Sequence, residues 1–531
     1  MENEKFKIKN GILTEYIGND EIIEIPNTVS VIGEGVFRKR IAEKIIIPNS
    51  VKIIEKNAFR DCGIGEIIMN DGVIIIGEYA FAKARCNSIT FSKNLREIQA
   101  NAFYFFRFYH LEIQKIELPE SIIKIGDNAF SCCEWLVTLP SSVQKIGKGV
   151  YSDTEMQEIK IPSKTNIISE YAFYNCSNLE KVIIENATMD IVSYYDDYKK
   201  QKEDIEKIET IISNTKIKNS AFRECENLKE VVFPNTLTEI GIYAFSGCTS
   251  LKRVNIINNK HLKIDIFAFC DSGLEELYIF NTESLNIESS AFENLPNLKK
   301  IKIIGTEHSN IYIEMSAFEN CQRLEDINIV TKGTVNIGNS AFKNCNELEE
   351  INIIADGINI GNRAFEECTL LKRLNLQAGI IGTSIENYAF FNCSLLHTVN
   401  ISPNSTVNIY EDSFEGCSSL ENINWGNLIS LKKSIPLLRC TPEEIMAIIK
   451  NPEEIQISLK SRNEANYYET RNTYDKDNEE LQRKEHVDQI LQKLDEIDQS
   501  IKKSSNSKSN SNISLDSNTI EDIIDGIWDI L

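Results

Sequence analysis

The chain has 531 residues, with 57 Lys and Arg against 79 Asp and Glu and a formal net charge of −22 at pH 7. So acidic a composition lacks the basic footprint of non-specific nucleic-acid binding and is repelled by an anionic membrane face. With 42% hydrophobic residues the chain has ample apolar material for a core, which excludes wholesale disorder.

Taken in chain order, Phe6 to Lys9 and Ile12 to Tyr16 read as two short strands flanking Asn10-Gly11, a strong hairpin-turn signal. This N-terminal hairpin, residues 1–25, is expected to cover the open edge of whatever sheet follows. No apolar segment with the features of a secretory signal follows Met1, and no stretch reaches the roughly 18 apolar residues of a membrane span. The ending Asp529-Ile530-Leu531 is not a prenylation signal. The expected location is cytoplasmic, the alternative being the cell surface or secretion by a non-standard route.

Residues 26–425 are repetitive. An Ala-Phe pair or close variant recurs, with its aromatic member at Phe37, Phe59, Phe81, Phe103, Phe130, Tyr151, Phe173, Phe222, Phe245, Phe269, Phe292, Phe318, Phe342, Phe365, Phe390 and Phe414. The steps between these 16 positions are 21 to 27 residues, except the 49 between Phe173 and Phe222, where an insertion (residues 188–214) or a decayed unit must lie. A good unit runs from Ala221-Phe222 through Cys225, Leu228, Val231, Phe233-Pro234 and Leu237 to Ile240-Gly241. Leu228, Val231 and Phe233 give the L-x-x-L-x-L spacing of a short strand, and a second strand ends at Gly241, where glycine is expected to permit a tight bend. A single coil of this length cannot close a core, whereas stacked coils share one. From Asn281 onward the Ile-Pro step disappears, replaced by segments such as Val335-Asn336-Ile337-Gly338.

This combination resembles the BspA-like leucine-rich-repeat family over roughly residues 10 to 425. The resemblance implies a right-handed solenoid and a role in surface adhesion or interaction. The expected fold is therefore an α/β-type repeat solenoid of about 16 repeats, dominated by short parallel β-strands, with a small helical C-terminal region. Ten cysteines follow the aromatic by three residues, Cys62 and Cys225 among them. They read as a column of small buried thiols rather than a metal array, since a spacing near 23 supplies no zinc knuckle.

Two inserts stand out. Residues 103–110 pack six aromatics, either filling a widened coil or exposed as an interaction cluster. The second, Tyr194 to Ile212, reads as an amphipathic helix. Beyond Trp425 the repeat stops. Thr441-Pro442-Glu443-Glu444 and Asn451-Pro452-Glu453-Glu454 are helix-start signals, so residues 426–460 are expected to form a helical cap. A linker at 461–478 leads to a short amphipathic segment, 479–503. There Val487, Ile490, Leu494, Ile497 and Ile501 make an a/d seam of about two heptads, enough for weak self-association or docking. A Ser/Asn-rich linker, 504–516, precedes an acidic amphipathic helix at 517–531. Its apolar face includes Ile524, Trp528 and Leu531, expected either to cap the solenoid or to anchor in a partner's groove.

Catalytic patterns are missing. There is no dinucleotide glycine motif, phosphate loop, zinc-protease H-E-x-x-H or nucleophile elbow, and none of the five histidines pairs with another at ligand spacing. No enzyme activity, cofactor or metal is expected. The strand face offers more. Strand alternation turns the fifth position of L-x-x-L-x-L outward, and it is occupied by Asn255, Tyr278, Lys302, Asn328, Asn352, Asn375, Asn400 and Asn424 in successive units. A second row holds Asn286, Asn336, Asn359 and Asn408. Stacked amides can serve the fold alone through a hydrogen-bond ladder. They also form a flat polar face for a protein partner or a glycan, flanked by third positions of mixed charge, Glu230, Arg253, Glu276, Lys300, Asp326, Glu350 and Arg373. Residues Asn255, Tyr278, Asn328, Asn352, Asn375, Asn400 and Asn424 are the expected partner surface. The expected function is a non-enzymatic interaction scaffold, the solenoid holding one partner and the tail helix recruiting another, with a BspA-like adhesion or host-contact protein as the alternative.

Overall fold

A computed structural model describes residues 4–431 apart from 110–114, 134–135, 186–213, 259, 403–405, 411, 421 and 425–426. The insert helix and the expected elements at 432–460, 461–478, 479–503, 504–516 and 517–531 lie outside the described residues. The chain divides into two compact units, residues 1–254 with 264–274 and residues 255–263 with 275–531. The described residues form a parallel-strand β-solenoid of about 15 turns, with no α-helix among them. The strand ladder continues through Asn427–Leu431, which pairs in parallel with Thr406–Ile409, six residues past the expected boundary at 425.

In the first unit each coil makes two separate strands. Ile41–Ile47 lies parallel to Gly63–Met69, while Val31–Ile32, Ile53–Ile54, Ile75–Ile76, Glu97–Ile98, Lys124–Ile125 and Lys145–Ile146 run side by side in another ladder. In most coils proline divides them. The N–H of Val51 donates to the carbonyl of Pro48 at 3.1 Å, and Val29 on Pro26, Val143 on Pro140 and Leu237 on Pro234 repeat the turn. Proline brings no N–H to a ladder, so the first strand ends there. The glycine after the second strand serves a different need from the expected bend. At Gly77 a Cβ would stand 2.7 Å from the Ile54 carbonyl oxygen, and at Gly126 2.6 Å from the Ala100 nitrogen. Neither has a positive φ; what these sites need is close approach to the preceding coil.

In four coils of the second unit the two strands fuse. Glu276–Ile287, Lys300–Ile313, Glu350–Ile360 and Arg373–Ile385 are continuous strands of 12, 14, 11 and 13 residues. Bulges such as the register shift between Ala355 and Gly357 absorb the corner that proline makes in the first unit.

Both units share one core device. From Phe37 to Phe269 in the first unit, and from Phe292 to Phe414 in the second, successive rings stack with centroids 4.8–5.6 Å apart. Phe173 stacks directly on Phe222 at 5.1 Å, so no coil of the ring column comes between them. The ring is held by a turn with two left-handed residues, two before and two after the aromatic, such as Asn57 (φ 57°) and Asp61 (φ 59°) around Phe59, or Ser340 (φ 56°) and Asn344 (φ 61°) around Phe342. Between them the Phe59 N–H donates to the Ala80 carbonyl of the next coil at 2.7 Å. The cysteine column is buried and reduced among the described residues, and from Cys133 onward each of its thiols donates to a backbone carbonyl of the preceding coil. Cys133 Sγ donates to the Phe103 carbonyl at 3.0 Å, Cys248 to Phe222 at 3.2 Å and Cys345 to Phe318 at 3.4 Å. The position therefore takes a small apolar residue that can also satisfy a buried carbonyl. Burial pushes the Cys62 and Cys321 thiols up to about 12, far from the thiolate range that reactivity needs.

At the N-terminus Phe6–Lys9 and Ile12–Tyr16 pair antiparallel around Asn10 (φ 52°) and Gly11 (φ 76°), both left-handed as this tight turn requires. Tyr16 lies 5.5 Å from Phe37, extending the ring column, and Ile12-Leu13 pairs in parallel with Val31-Ile32. Of the aromatics at 103–109, Phe103 and Phe106 are buried, Tyr104, Phe105 and Phe108 are half-buried, and Tyr109 is 49% exposed. The insert thus divides between core and surface.

Candidate partner-binding face

The fused strands of the second unit fix the Asn row by backbone register. Tyr278 pairs with Lys302, Lys302 with Asn328, and Asn328 with Asn352, followed by Asn375, Asn400 and Asn424. Strand pairing sets the repeat along the row at about 4.8 Å. Asn375 Nδ2 donates to Asn352 Oδ1 at 2.7 Å and to Glu350 Oε1 at 3.0 Å, and Asn400 Nδ2 donates to Asn375 Oδ1 at 2.8 Å. The ladder does not use all the amides. Among the described residues Asn328 makes no side-chain hydrogen bond, whereas Asn352 accepts from Asn375 and also bonds the Glu350 carboxylate. Each Asn amide has two donors and two lone pairs, so this stretch keeps unused hydrogen-bonding capacity at a half-buried surface.

Two expected site residues sit differently. Tyr278 is buried, because its neighbour Lys302 reaches over the ring with Nζ 5.5 Å from the centroid. Asn255 is half-buried, and its Oδ1 is a buried acceptor with no partner. Asn424 lies in the strand Asn422–Asn424, and its side chain is outside the described residues, as are Ile524, Trp528 and Leu531.

The second row is also in register, Asn286 with Tyr312, Asn336, Asn359, Ser384 and Asn408. Asn359 Nδ2 donates to Asn336 Oδ1 at 2.7 Å. A third amide ladder escaped sequence reasoning. Asn344 Nδ2 donates to Asn320 Oδ1 and Asn320 Nδ2 to Asn294 Oδ1, each at 2.9 Å, at the left-handed position after the aromatic. Its signal was the F-x-N-C spacing, and asparagine tolerates that backbone better than most residues.

Beside the first row, Glu276, Lys300, Asp326, Glu350 and Arg373 line up. The Arg373 guanidinium bonded to Glu350 holds its carboxyl below the usual range. Burial, with Glu350 and Glu349 nearby, pushes the Asp326 carboxyl up despite Lys300. Among the described residues no group of three His, Cys, Asp or Glu side chains is placed to hold a metal ion, and no helix is long and apolar enough to cross a membrane.

Four overlapping matches to the family described as BspA type leucine rich repeat region (6 copies) span residues 15–107, 104–208, 196–325 and 311–435. The chain belongs to this family. It is similar to a solved leucine-rich repeat protein from Bacteroides ovatus at 22% identity, over 79% of this chain and 97% of that one, with a TM-score of 0.40. A leucine rich cell surface protein from Faecalibacterium prausnitzii is 22% identical over 79% and 92%, with a TM-score of 0.31. The pneumococcal vaccine antigen PcpA is 17% identical over 78% and 80%, with a TM-score of 0.32. No curated protein matches the chain.

Proposed function

We propose that this BspA-type repeat protein is a non-enzymatic protein-interaction scaffold, and that the Asn-lined strand face of its second unit holds a protein partner. The observation that carries this reading is the incomplete amide ladder: among the described residues Asn328 makes no side-chain hydrogen bond, in a row where Asn352, Asn375 and Asn400 are linked to one another. A purely structural ladder would engage them all, since an idle amide adds nothing to stability. The mixed charges of Lys300, Asp326, Glu350 and Arg373 beside the row favour a specific protein over a uniform polyanion. A second recruiting element is the C-terminal segment 517–531, with Ile524, Trp528 and Leu531 as anchors on its sequence pattern.

The test is panning of a random peptide library and a glycan array on the full chain, with Asn328→Ala/Asn352→Ala as the counter-screen. Peptides that bind the wild type and lose at least tenfold in affinity on the variant support the reading. Glycans alone, or peptides indifferent to the variant, contradict it.

A further inference from the structure

The first four coils carry a cationic corner on an otherwise acidic chain. Residues 37–41, 59–63, 81–85 and 103–109 contain seven Lys and Arg against one carboxylate, Asp61, a net of +6 within a total of −22. Later coils do not repeat it: the residues after the aromatic become Ser152-Asp153-Thr154 or Glu293-Asn294-Leu295. Backbone bonds stack these segments. The Lys39 N–H donates to the Arg60 carbonyl, Asp61 to Ala82 and Lys83 to Tyr104, while Ile41, Gly63, Arg85 and Arg107 follow one another in strand register.

Some of these cations serve the fold. Arg40 donates to the carbonyls of Tyr16 and Gly18 at 3.0 and 2.9 Å, and Arg60 lies over the Tyr79 ring at 5.3 Å. Lys39, Lys83 and Arg85 do not. All three side chains are exposed and make no hydrogen bond or ion pair among the described residues. Between them runs an apolar strip. Ile41 is 82% exposed and Tyr109 49%. Gly63 makes room for Tyr109, since a Cβ there would stand 2.5 Å from its hydroxyl and 3.9 Å from Ile41 Cγ1.

We infer that this corner docks an acidic protein segment bearing apolar anchors. Unpaired cations on an acidic protein give the charge complementarity and steer encounter. A phosphate polymer would match the charge but would leave Ile41 in water, whereas an apolar anchor seated on Ile41 and Tyr109 buries it. Lys39 and Lys83 lie two coils apart, about 10 Å at strand spacing. Two acids seven residues, about two turns, apart on a helix span about the same distance, so one helix face reaches both. This inference concerns the first unit and stands independently of the Asn face.

The experiment uses the full chain and a fluorescein-labelled 16-residue peptide with a Glu/Asp face and a Leu/Trp face. Binding read by anisotropy should weaken steeply with salt. It should fall at least tenfold with Lys83→Glu/Arg85→Glu, several-fold with Ile41→Ser, and stay unchanged with Lys145→Glu, an exposed cation elsewhere. Peptides with the acids changed to Gln and Asn, or with Leu and Trp changed to Ser, should each bind at least tenfold more weakly. Unchanged far-UV circular dichroism confirms that the variants are folded. No binding of the parent peptide, equal binding of the Ser-substituted peptide or of heparin, or indifference to Lys83→Glu/Arg85→Glu would overturn the inference.

Discussion

The two units turn the same repeating chain by opposite means. In the first, each coil is cut into two short strands, in most coils at a proline, as at Pro48 between Ile41–Ile47 and Ile53–Ile54. In the second, four coils lose the cut, and strands such as Arg373–Ile385 run through the corner. The ring column and the cysteine-to-carbonyl bonds are common to both, so they carry the coil itself. What differs is the surface. Continuous pairing in the second unit brings asparagines into unbroken rows, a residue otherwise poor in strands that is kept here by its amide ladder.

The comparison is most directly strained by removing a ring from each unit. Phe81→Ala and Phe342→Ala should each cost about 3–5 kcal/mol, as for other fully buried phenylalanines, read from urea unfolding followed by circular dichroism. Effects differing several-fold between the two sites would break the claim of a shared core device. The proline contrast comes next. Ile354→Pro in a fused strand removes a ladder N–H and should cost about 1–3 kcal/mol. Pro48→Ala, at a turn other residues can adopt, should cost only about 0.4–1 kcal/mol through chain entropy. Asn375→Ala removes the amide that links Asn352, Glu350 and Asn400 and should cost about 0.5–1.5 kcal/mol.

A smaller effect depends on pH. The Asp326 carboxyl is held above its ordinary value, so the folded state binds its proton more tightly than the unfolded chain does. Its protonated form favours folding at low pH, and that advantage is lost as pH rises through the folded value. Asp326→Asn should therefore melt slightly higher than wild type at pH 7, with the difference vanishing at pH 3. Finally, among the described cysteines the half-buried Cys132 and Cys270 should react with a thiol reagent first in the native protein at pH 8. The column thiols should respond only on unfolding, equally in both units.

Much of this was legible in the sequence because it repeats. The aromatic period, the cysteine position and the Asn rows are spacings, and the backbone register reproduces them. Other features were hidden where one structural role is filled by different residues. The left-handed positions are Asn57, Tyr79, Ser340 and Arg363 in turn, with no shared side-chain chemistry. The glycine after the second strand looked like a bend, whereas Gly77 and Gly126 are needed for space. Tyr278 fits the outward pattern yet is buried, because coverage by Lys302 depends on a neighbouring coil rather than on its own strand. The cationic corner escaped notice because net charge averages over the chain, while register gathers residues 22 apart onto one edge.

The central claim, that the Asn face of the second unit holds a protein partner, is tested most directly by hydrogen exchange of the full chain with and without a peptide selected by panning. Added protection is predicted in Asp326–Val330, Glu350–Ile360 and Arg373–Ile385, and it should disappear in Asn328→Ala/Asn352→Ala. Protection confined to the aromatic turns, or unchanged by that variant, would contradict the account.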